Sequence, residues 1–189
     1  LYDSDLSLKG CSIKSNSAAS GSGGGAYCEQ SNITFTSCMI SNNSSGASYY
    51  MDGGGGIYFL ECSQPMLIGC DIGSNSAIEQ GGGIYCRESD ANINGCTVTK
   101  NSAPNGAGIG LTYSDATIEN CIVEANVGKG LMSVGCDPLI YTSALSANTD
   151  GAVYSVGGSP QITGCVISGN TGIAAISSHN ESSPAVMAT

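Results

Sequence analysis

The sequence predicts an all-β fold, a parallel β-helix in which short strands coil into a stack of about seven to eight rungs. Three observations support this prediction: a phrase that recurs seven times, a glycine-rich phrase that precedes it, and the lack of sustained 3.6-residue apolar periodicity. Self-similarity at a period of roughly 20 to 50 residues is typical of solenoids, in which each repeat buries its apolar face against its neighbours.

The recurring phrase is nine residues long and ends in asparagine. An aliphatic or aromatic residue is followed three positions later by Cys, five later by Ile, Val or Leu, and eight later by Asn. The cysteine column contains Cys11, Cys38, Cys70, Cys96, Cys121 and Cys165, with Ser143 in the remaining copy. The asparagine column contains Asn16, Asn43, Asn75, Asn101, Asn126, Asn148 and Asn170. We expect both columns to form structural ladders, in which stacked amides bond to one another and to turn backbone.

A glycine phrase precedes five of the seven copies, as in Gly82-Gly83-Ile84-Tyr85-Cys86. Its aliphatic residue lies twelve positions before the column cysteine in four copies, and the Ile57 copy is one longer. Leu131 heads a degenerate copy, because Ile140 and Asn148 follow it at the usual offsets. The stretch of residues 127–150 is therefore predicted to be a rung and not a long loop.

The rungs differ in length at one turn only. Column residues recur 27, 32, 26, 25, 22 and 22 positions apart, so rungs of 22–32 residues are expected. The variation lies between each Asn and the next aliphatic residue, where the counts are 10, 14, 9, 8, 5 and 5. Variable turns on a rigid stack are where binding surfaces usually lie. A cleft beside the long turn of residues 44–53 that contains paired carboxylates or a calcium ion would favour an enzyme.

Short segments such as Ile33-Thr34-Phe35 and Cys96-Thr97-Val98 alternate inward and outward residues, as strands of about three residues should. Adjacent rungs are expected roughly 4.8 Å apart, so eight rungs give a rod about 35 Å long.

The phrases Gly83-Ile84-Tyr85 and Ile72-Gly73-Ser74-Asn75 resemble those of right-handed parallel β-helix repeats in the pectin-lyase-like superfamily. They are most similar to the repeats of surface proteins typified by chlamydial polymorphic outer-membrane passengers. The resemblance covers residues 6–188 and implies a right-handed β-helix. It says little about activity, since such repeats serve enzymes, adhesins and structural fibres alike.

The whole chain, residues 1–189, is expected to form one β-helix domain. It opens inside one rung and closes inside another, which indicates a fragment or repeating unit of a longer solenoid. Exposed terminal rungs are unpaired strand edges that invite end-to-end self-association.

Composition excludes several partners. The net charge is −10, from 15 acidic and 5 basic residues, which disfavours nucleic acid and anionic membrane surfaces. No apolar run approaches the roughly 18 residues of a membrane-spanning helix. Few charges and many Ser, Thr, Asn and Gly residues favour an extracellular or cell-surface rod.

The ten cysteines allow two interpretations. Column thiols could act as small buried hydrophobic groups, or cysteines of neighbouring rungs could form disulfides. Cys28, Cys62, Cys86 and Cys136 lie outside the column. No Cys or His spacing indicates a metal site, and we expect no cofactor.

Enzymatic chemistry is not favoured, and no catalytic residue is assigned. Asn148-Thr149-Asp150 is similar to the Asn-Thr-Asp element of polygalacturonases, but Asn148 belongs to the asparagine column and the rest of that pattern is absent. Glycoside hydrolysis requires two carboxylates roughly 5 to 9.5 Å apart. Asp90 and Asp115 share one offset, yet their Ser-Asp-Ala settings indicate outer turns.

Four tyrosines, Tyr27, Tyr58, Tyr85 and Tyr154, share one offset beside the inward aliphatic residue and are expected to point outward. Such a row could bind a polysaccharide or glycan, or contact another rod, although tyrosine is also a good former of exposed strands. Sequons at Asn32, Asn42, Asn43 and Asn180 would accept glycans in a secretory eukaryote.

The sequence therefore predicts an extracellular structural or adhesive β-solenoid rod that associates end-to-end or laterally. The alternative is a polysaccharide lyase or hydrolase, or a carbohydrate-binding β-helix protein.

Overall fold

The computed structural model describes residues 1–46, 53–180 and 184–187. Within these ranges the chain forms short β-strands and no α-helix. In chain order the strands are β1 (Leu6–Lys9), β2 (Ser12–Lys14), β3 (Ser17–Ala18), β4 (Ala26–Glu29), β5 (Ile33–Thr36), β6 (Met39–Ser41), β7 (Ser44–Ser45), β8 (Ile57–Leu60), β9 (Met66–Ile68), β10 (Asp71–Gly73), β11 (Ser76–Ala77), β12 (Ile84–Arg87), β13 (Asn92–Asn94), β14 (Thr97–Thr99), β15 (Ile109–Thr112), β16 (Thr117–Glu119), β17 (Ile122–Glu124), β18 (Leu131–Val134), β19 (Leu139–Tyr141), β20 (Ala144–Ser146), β21 (Val153–Val156), β22 (Gln161–Thr163), β23 (Val166–Ser168), β24 (Ile176–His179) and β25 (Ala185–Met187).

The strands stack into parallel sheets that run the length of a β-solenoid of about seven turns. Sheet A contains β4, β8, β12, β15, β18, β21 and β24. Sheet B contains β1, β5, β9, β13, β16, β19, β22 and β25. Sheet C contains β2, β6, β10, β14, β17, β20 and β23, and sheet D contains β3, β7 and β11. Each turn of the coil passes through sheets A, B and C in that order, which confirms the predicted parallel β-helix.

The strand register confirms the columns read from the sequence. In sheet B, Leu67 pairs with Phe35 below and Ile93 above. The degenerate rung is also confirmed, because Leu131 pairs with both Ile109 and Val153. Inward residues of consecutive rungs therefore contact one another directly, as in other solenoids.

Strands are short because a residue with positive φ ends most of them. Ser37 after sheet B, Lys100 after sheet C and Glu88 after sheet A have φ values of 50°, 55° and 51°. This left-handed conformation turns the chain at each corner. The corners give the coil its inner face, where Ile57, Ile84, Ile109 and Leu131 are completely buried.

The glycine phrase is required by close contacts between rungs. A Cβ on Gly55 would lie 2.5 Å from the carbonyl oxygen of Gly82 in the next rung. A Cβ on Gly83 would lie 2.9 Å from Nδ2 of Asn101. Atoms cannot approach this closely without displacement, so the two glycines make room for the next rung and for the asparagine column.

Candidate functional site

The asparagine column forms a continuous hydrogen-bonded ladder, as predicted. The backbone N–H and Nδ2 of Asn75 both donate to Oδ1 of Asn101, at 2.9 and 3.0 Å. Asn101 in turn donates from the same two groups to Asn126 and from Nδ2 to the carbonyl oxygen of Ile72. This pattern satisfies the buried amides rung by rung, and it explains why a polar residue is tolerated there.

The column thiols are hydrogen-bonded and do not act only as apolar filler. The N–H of Cys38 donates to Sγ of Cys70 at 3.4 Å, and that Sγ lies 3.5 Å from the carbonyl oxygens of Phe35 and Ile68. Ser143 takes the same position with its hydroxyl, which accepts from the N–H of Cys121 at 3.0 Å. All ten cysteines lie within the described residues, and all ten are free thiols.

A second ladder of small polar side chains lies at the corner between sheets A and B, and our sequence analysis missed it. The N–H of Cys62 donates to the hydroxyl of Ser89, whose own N–H donates to the hydroxyl of Ser114. The ladder contains Ser31, Cys62, Ser89, Ser114 and Cys136. A sequence signal existed, since each member lies five positions after the aliphatic residue of its glycine phrase.

Two further cysteines face the interior from sheet A. Cys28 and Cys86 both pair with Phe59, and both are completely buried. Burial raises the pKa of Cys28 to about 12, with a smaller contribution from the neighbouring Cys62. Burial likewise raises the pKa of Cys86. These thiols stay protonated, and therefore unreactive, at neutral pH.

The tyrosine row lies on the outer face of sheet A, but two of its members are not exposed, contrary to our expectation. Tyr58 is 1% exposed and Tyr85 is 0% exposed. Their rings stack with centroids 5.0 Å apart, and the hydroxyl of Tyr85 donates to Oγ1 of Thr112 at 3.1 Å. Half-buried Tyr27 donates its hydroxyl to Oε2 of Glu29 at 2.9 Å.

The variable turn covers these rings. A glycine lies three positions before the aliphatic residue, and a Cβ on Gly81 would overlap the Cβ of Tyr85. Gly54 stands in the same relation to Tyr58, where the distance would be 2.7 Å. The glycines let the turn backbone lie directly on the tyrosines, so an outward residue becomes buried.

Arg87 extends this covered region along the neighbouring outer column of sheet A. Burial would lower its pKa, but hydrogen bonding to Tyr58 and nearby charges outweigh burial and raise the pKa. Arg87 therefore stays charged beside the tyrosine stack.

The cover ends where the turns shorten. Gly54 and Gly81 cover Tyr58 and Tyr85. The equivalent position is Asp150 in the rung of β21 and Ile173 in the rung of β24. A groove of about 460 Å³ opens there across β18, β21 and β24. Its lining residues are Asn105, Lys129, Met132, Asp150, Tyr154, Val156, Ile173, Ala174, Ser177 and His179. We call it the sheet A groove.

Polar side chains of the sheet A groove contact one another across three rungs. Nζ of Lys129 lies 2.8 Å from Oδ2 of Asp150 and 5.0 Å from the ring centroid of Tyr154. The rings of Tyr154 and His179 lie 5.1 Å apart. Of the four predicted tyrosines, Tyr154 lines the sheet A groove, where it is half-buried.

Comparison with protein-family models gives a match to the right-handed β-helix region over residues 1–143. The chain belongs to the right-handed β-helix family. A comparison with curated proteins found no match. The family fixes the handedness of the coil that the strand register describes, and it assigns no chemistry to the groove.

In this right-handed β-helix, the residues weighed as catalytic are separated. Asn148 is buried in the asparagine ladder, whereas Asp150 pairs with Lys129 in the sheet A groove. Asp150 is the one carboxylate among the residues described as lining that groove. Asp90 and Asp115 lie on an outer corner, where the N–H of Asp115 donates to Oδ1 of Asp90 at 2.7 Å. The long turn of residues 44–53, where a cleft with paired carboxylates would favour an enzyme, falls largely on residues 47–52, outside the described residues.

The sequons differ in accessibility along the β-helix. Asn43 is 1% exposed and belongs to the asparagine ladder, so it cannot accept a glycan in the folded protein. Asn32, Asn42 and Asn180 are exposed. Within the part of the chain that the structure describes, no helix is long and apolar enough to cross a membrane.

Proposed function

We propose that this right-handed β-helix is an extracellular structural or adhesive rod that assembles end-to-end with further copies of itself. The observation that supports assembly is an apolar cavity at the last described rungs. Ile162, Ile167, Ile176 and Val186 line a cavity of about 320 Å³ there, and Val186 is 58% exposed although it occupies an inward column.

The asparagine ladder gives the rod a direction. Each ladder asparagine donates to Oδ1 of the next, from Asn16 to Asn170. A second copy in the same orientation would add its Asn16 end to the Asn170 end of the first and so continue the parallel stack. This contact is head-to-tail, and head-to-tail contacts that do not close produce filaments.

Electron microscopy and light scattering of the purified 189-residue chain test the proposal. We expect filaments whose average length increases with protein concentration. Val186→Lys should abolish them, because a lysine on an edge strand blocks further strand pairing.

Ile122→Lys serves as the matched control, because Ile122 points outward from the middle of sheet C and is 44% exposed. It should leave end-to-end filaments intact. Monomers at every concentration would contradict assembly, and loss of filaments in Ile122→Lys alone would show lateral contact instead.

Carbohydrate binding is the second candidate function, and the sheet A groove favours it. Concave sites with an apolar floor and a few convergent polar groups are typical ligand sites. Met132, Val156 and Ile173 supply apolar surface here, while Lys129 and Asp150 supply polar groups. We propose binding and not cleavage, since the described lining offers a single carboxylate.

A further inference from the structure

Turn length determines where sheet A can be reached from outside. From Asn75 to Ile84 the turn spans nine positions, and it covers Tyr85. From Asn126 to Leu131 and from Asn148 to Val153 it spans five. The sheet A groove therefore lies beside the shortest turns.

The groove is elongated along the rod. Its lining comes from four consecutive rungs, beginning with Asn105 before β15 and ending with His179 in β24. Four rungs extend over roughly 15 Å at the spacing of paired strands. A site of this length suits a linear ligand with repeating units better than a single small molecule.

The polar groups of the groove are balanced in charge. Lys129 and Asp150 form an ion pair with side-chain exposures of 15% and 46%, so the more accessible member is the carboxylate. Asn105, Ser177 and the hydroxyl of Tyr154 add neutral donors and acceptors. A strongly anionic ligand would meet Asp150 as well as a net charge of −10.

We propose that the sheet A groove binds a neutral linear oligosaccharide, with Asp150 and Lys129 bonding to its hydroxyl groups and Met132, Val156 and Ile173 contacting its apolar ring faces. This inference rests on the carbohydrate-binding function proposed above and names its ligand class. Tyr154 acts as a positioning residue, because Lys129 and His179 lie against its ring.

The test is an array of neutral oligosaccharides of three or more sugars, comprising glucans, mannans, xylans, galactans and chitin fragments. Uronate and sulfated oligosaccharides provide the charged comparison. We expect the chain to bind at least one neutral class. Asp150→Ala should weaken that binding roughly tenfold or more, as loss of a charged hydrogen-bond partner does.

Asp71→Ala is the matched control, because it removes the same charge from an exposed position on sheet C. It should change affinity less than about twofold. A second variant, Tyr154→Phe, keeps the ring and tests the hydroxyl, and circular dichroism of each variant verifies that the rungs are folded.

The outcomes of this experiment distinguish the proposed ligand class from the proposed carbohydrate-binding function. Failure to bind any neutral oligosaccharide, or equal binding by Asp150→Ala, would overturn the proposal for this groove. Binding to charged oligosaccharides alone would overturn the neutral class while leaving carbohydrate binding in place. The filament assay is independent, since Asp150 lines the groove on the outside of sheet A whereas Val186 occupies an inward column of sheet B. Asp150→Ala should therefore still assemble.

Discussion

Serine and cysteine are interchangeable at the inner corners of this β-helix. Ser143 replaces a thiol in the cysteine column, and Cys62 and Cys136 replace hydroxyls in the second ladder. In each case a small side chain accepts the N–H of the preceding rung or lies near a backbone carbonyl. The corner selects for size and hydrogen-bonding capacity, which both residues share.

Two buried serines with different surroundings test this view. Ser114→Ala should lower the free energy of unfolding by about 1–3 kcal/mol, because the N–H of Ser89 loses its acceptor. Ser133→Ala should be neutral or stabilising, because the hydroxyl of Ser133 is buried without a hydrogen-bond partner. Urea denaturation of both variants measures the difference, and equal losses would contradict the ladder.

Thiol burial predicts a loss of stability in alkali. Burial raises the pKa of Cys28 from 9.0 to about 12, so the folded state retains a proton that the unfolded state releases in between. The contribution of this retained proton to the free energy of unfolding is complete below about pH 9 and is lost as the pH rises toward 12. The urea midpoint should fall over this range, and Cys28→Ala should flatten the fall.

Labelling provides a direct check of the same thiol. At pH 8, Cys28 should react with a maleimide only after unfolding in urea. Labelling of Cys28 in the native protein at the rate of an exposed thiol would show that the interior is open.

At the scale of the elements, stability comes from contacts between equivalent strands. Each strand of sheets A, B and C pairs in register with its equivalents above and below, and each rung contributes one asparagine to the ladder. A defect in one rung therefore weakens its two interfaces first. The strands are only three or four residues long, so none is stable without its neighbours.

The asparagine ladder should be the most sensitive element. Asn101→Ala should cost about 3 kcal/mol or more, because it removes the acceptor for two amide groups of Asn75 and the donor to Ile72. Asn94→Ala is the control on an outer face, where Nδ2 donates to Glu119. It should cost less than about 1 kcal/mol in the same denaturation experiment.

At the scale of the whole molecule, the accessibility of the outer face of sheet A changes along the solenoid. The outer face of sheet A is covered at β8 and β12 and open at β18, β21 and β24. Sheet A therefore has a covered segment at β8 and β12 and the sheet A groove further along the same face. This arrangement suits a rod that presents a ligand site at a fixed place.

Much of this architecture could be predicted from the amino-acid sequence. The strand register follows from the column spacing, as shown by the pairing of Leu131 in the degenerate rung. The second ladder was missed because Ser and Cys alternate irregularly at its positions, although the offset is constant. The burial of Tyr85 could not be predicted, because it depends on the path that the turn around Gly81 takes over the sheet.

The sequence by itself determined the fold, the rung boundaries and the inward columns, because strand alternation and a repeated offset leave little freedom in the register. Only the tertiary structure decided which outward residues remain accessible. Tyr58, Tyr85 and Tyr154 share one offset, yet the first two are covered by turn backbone and the third borders a groove. Exposure depends on how neighbouring turns cross the sheet, and that crossing is a non-local property of the packed coil.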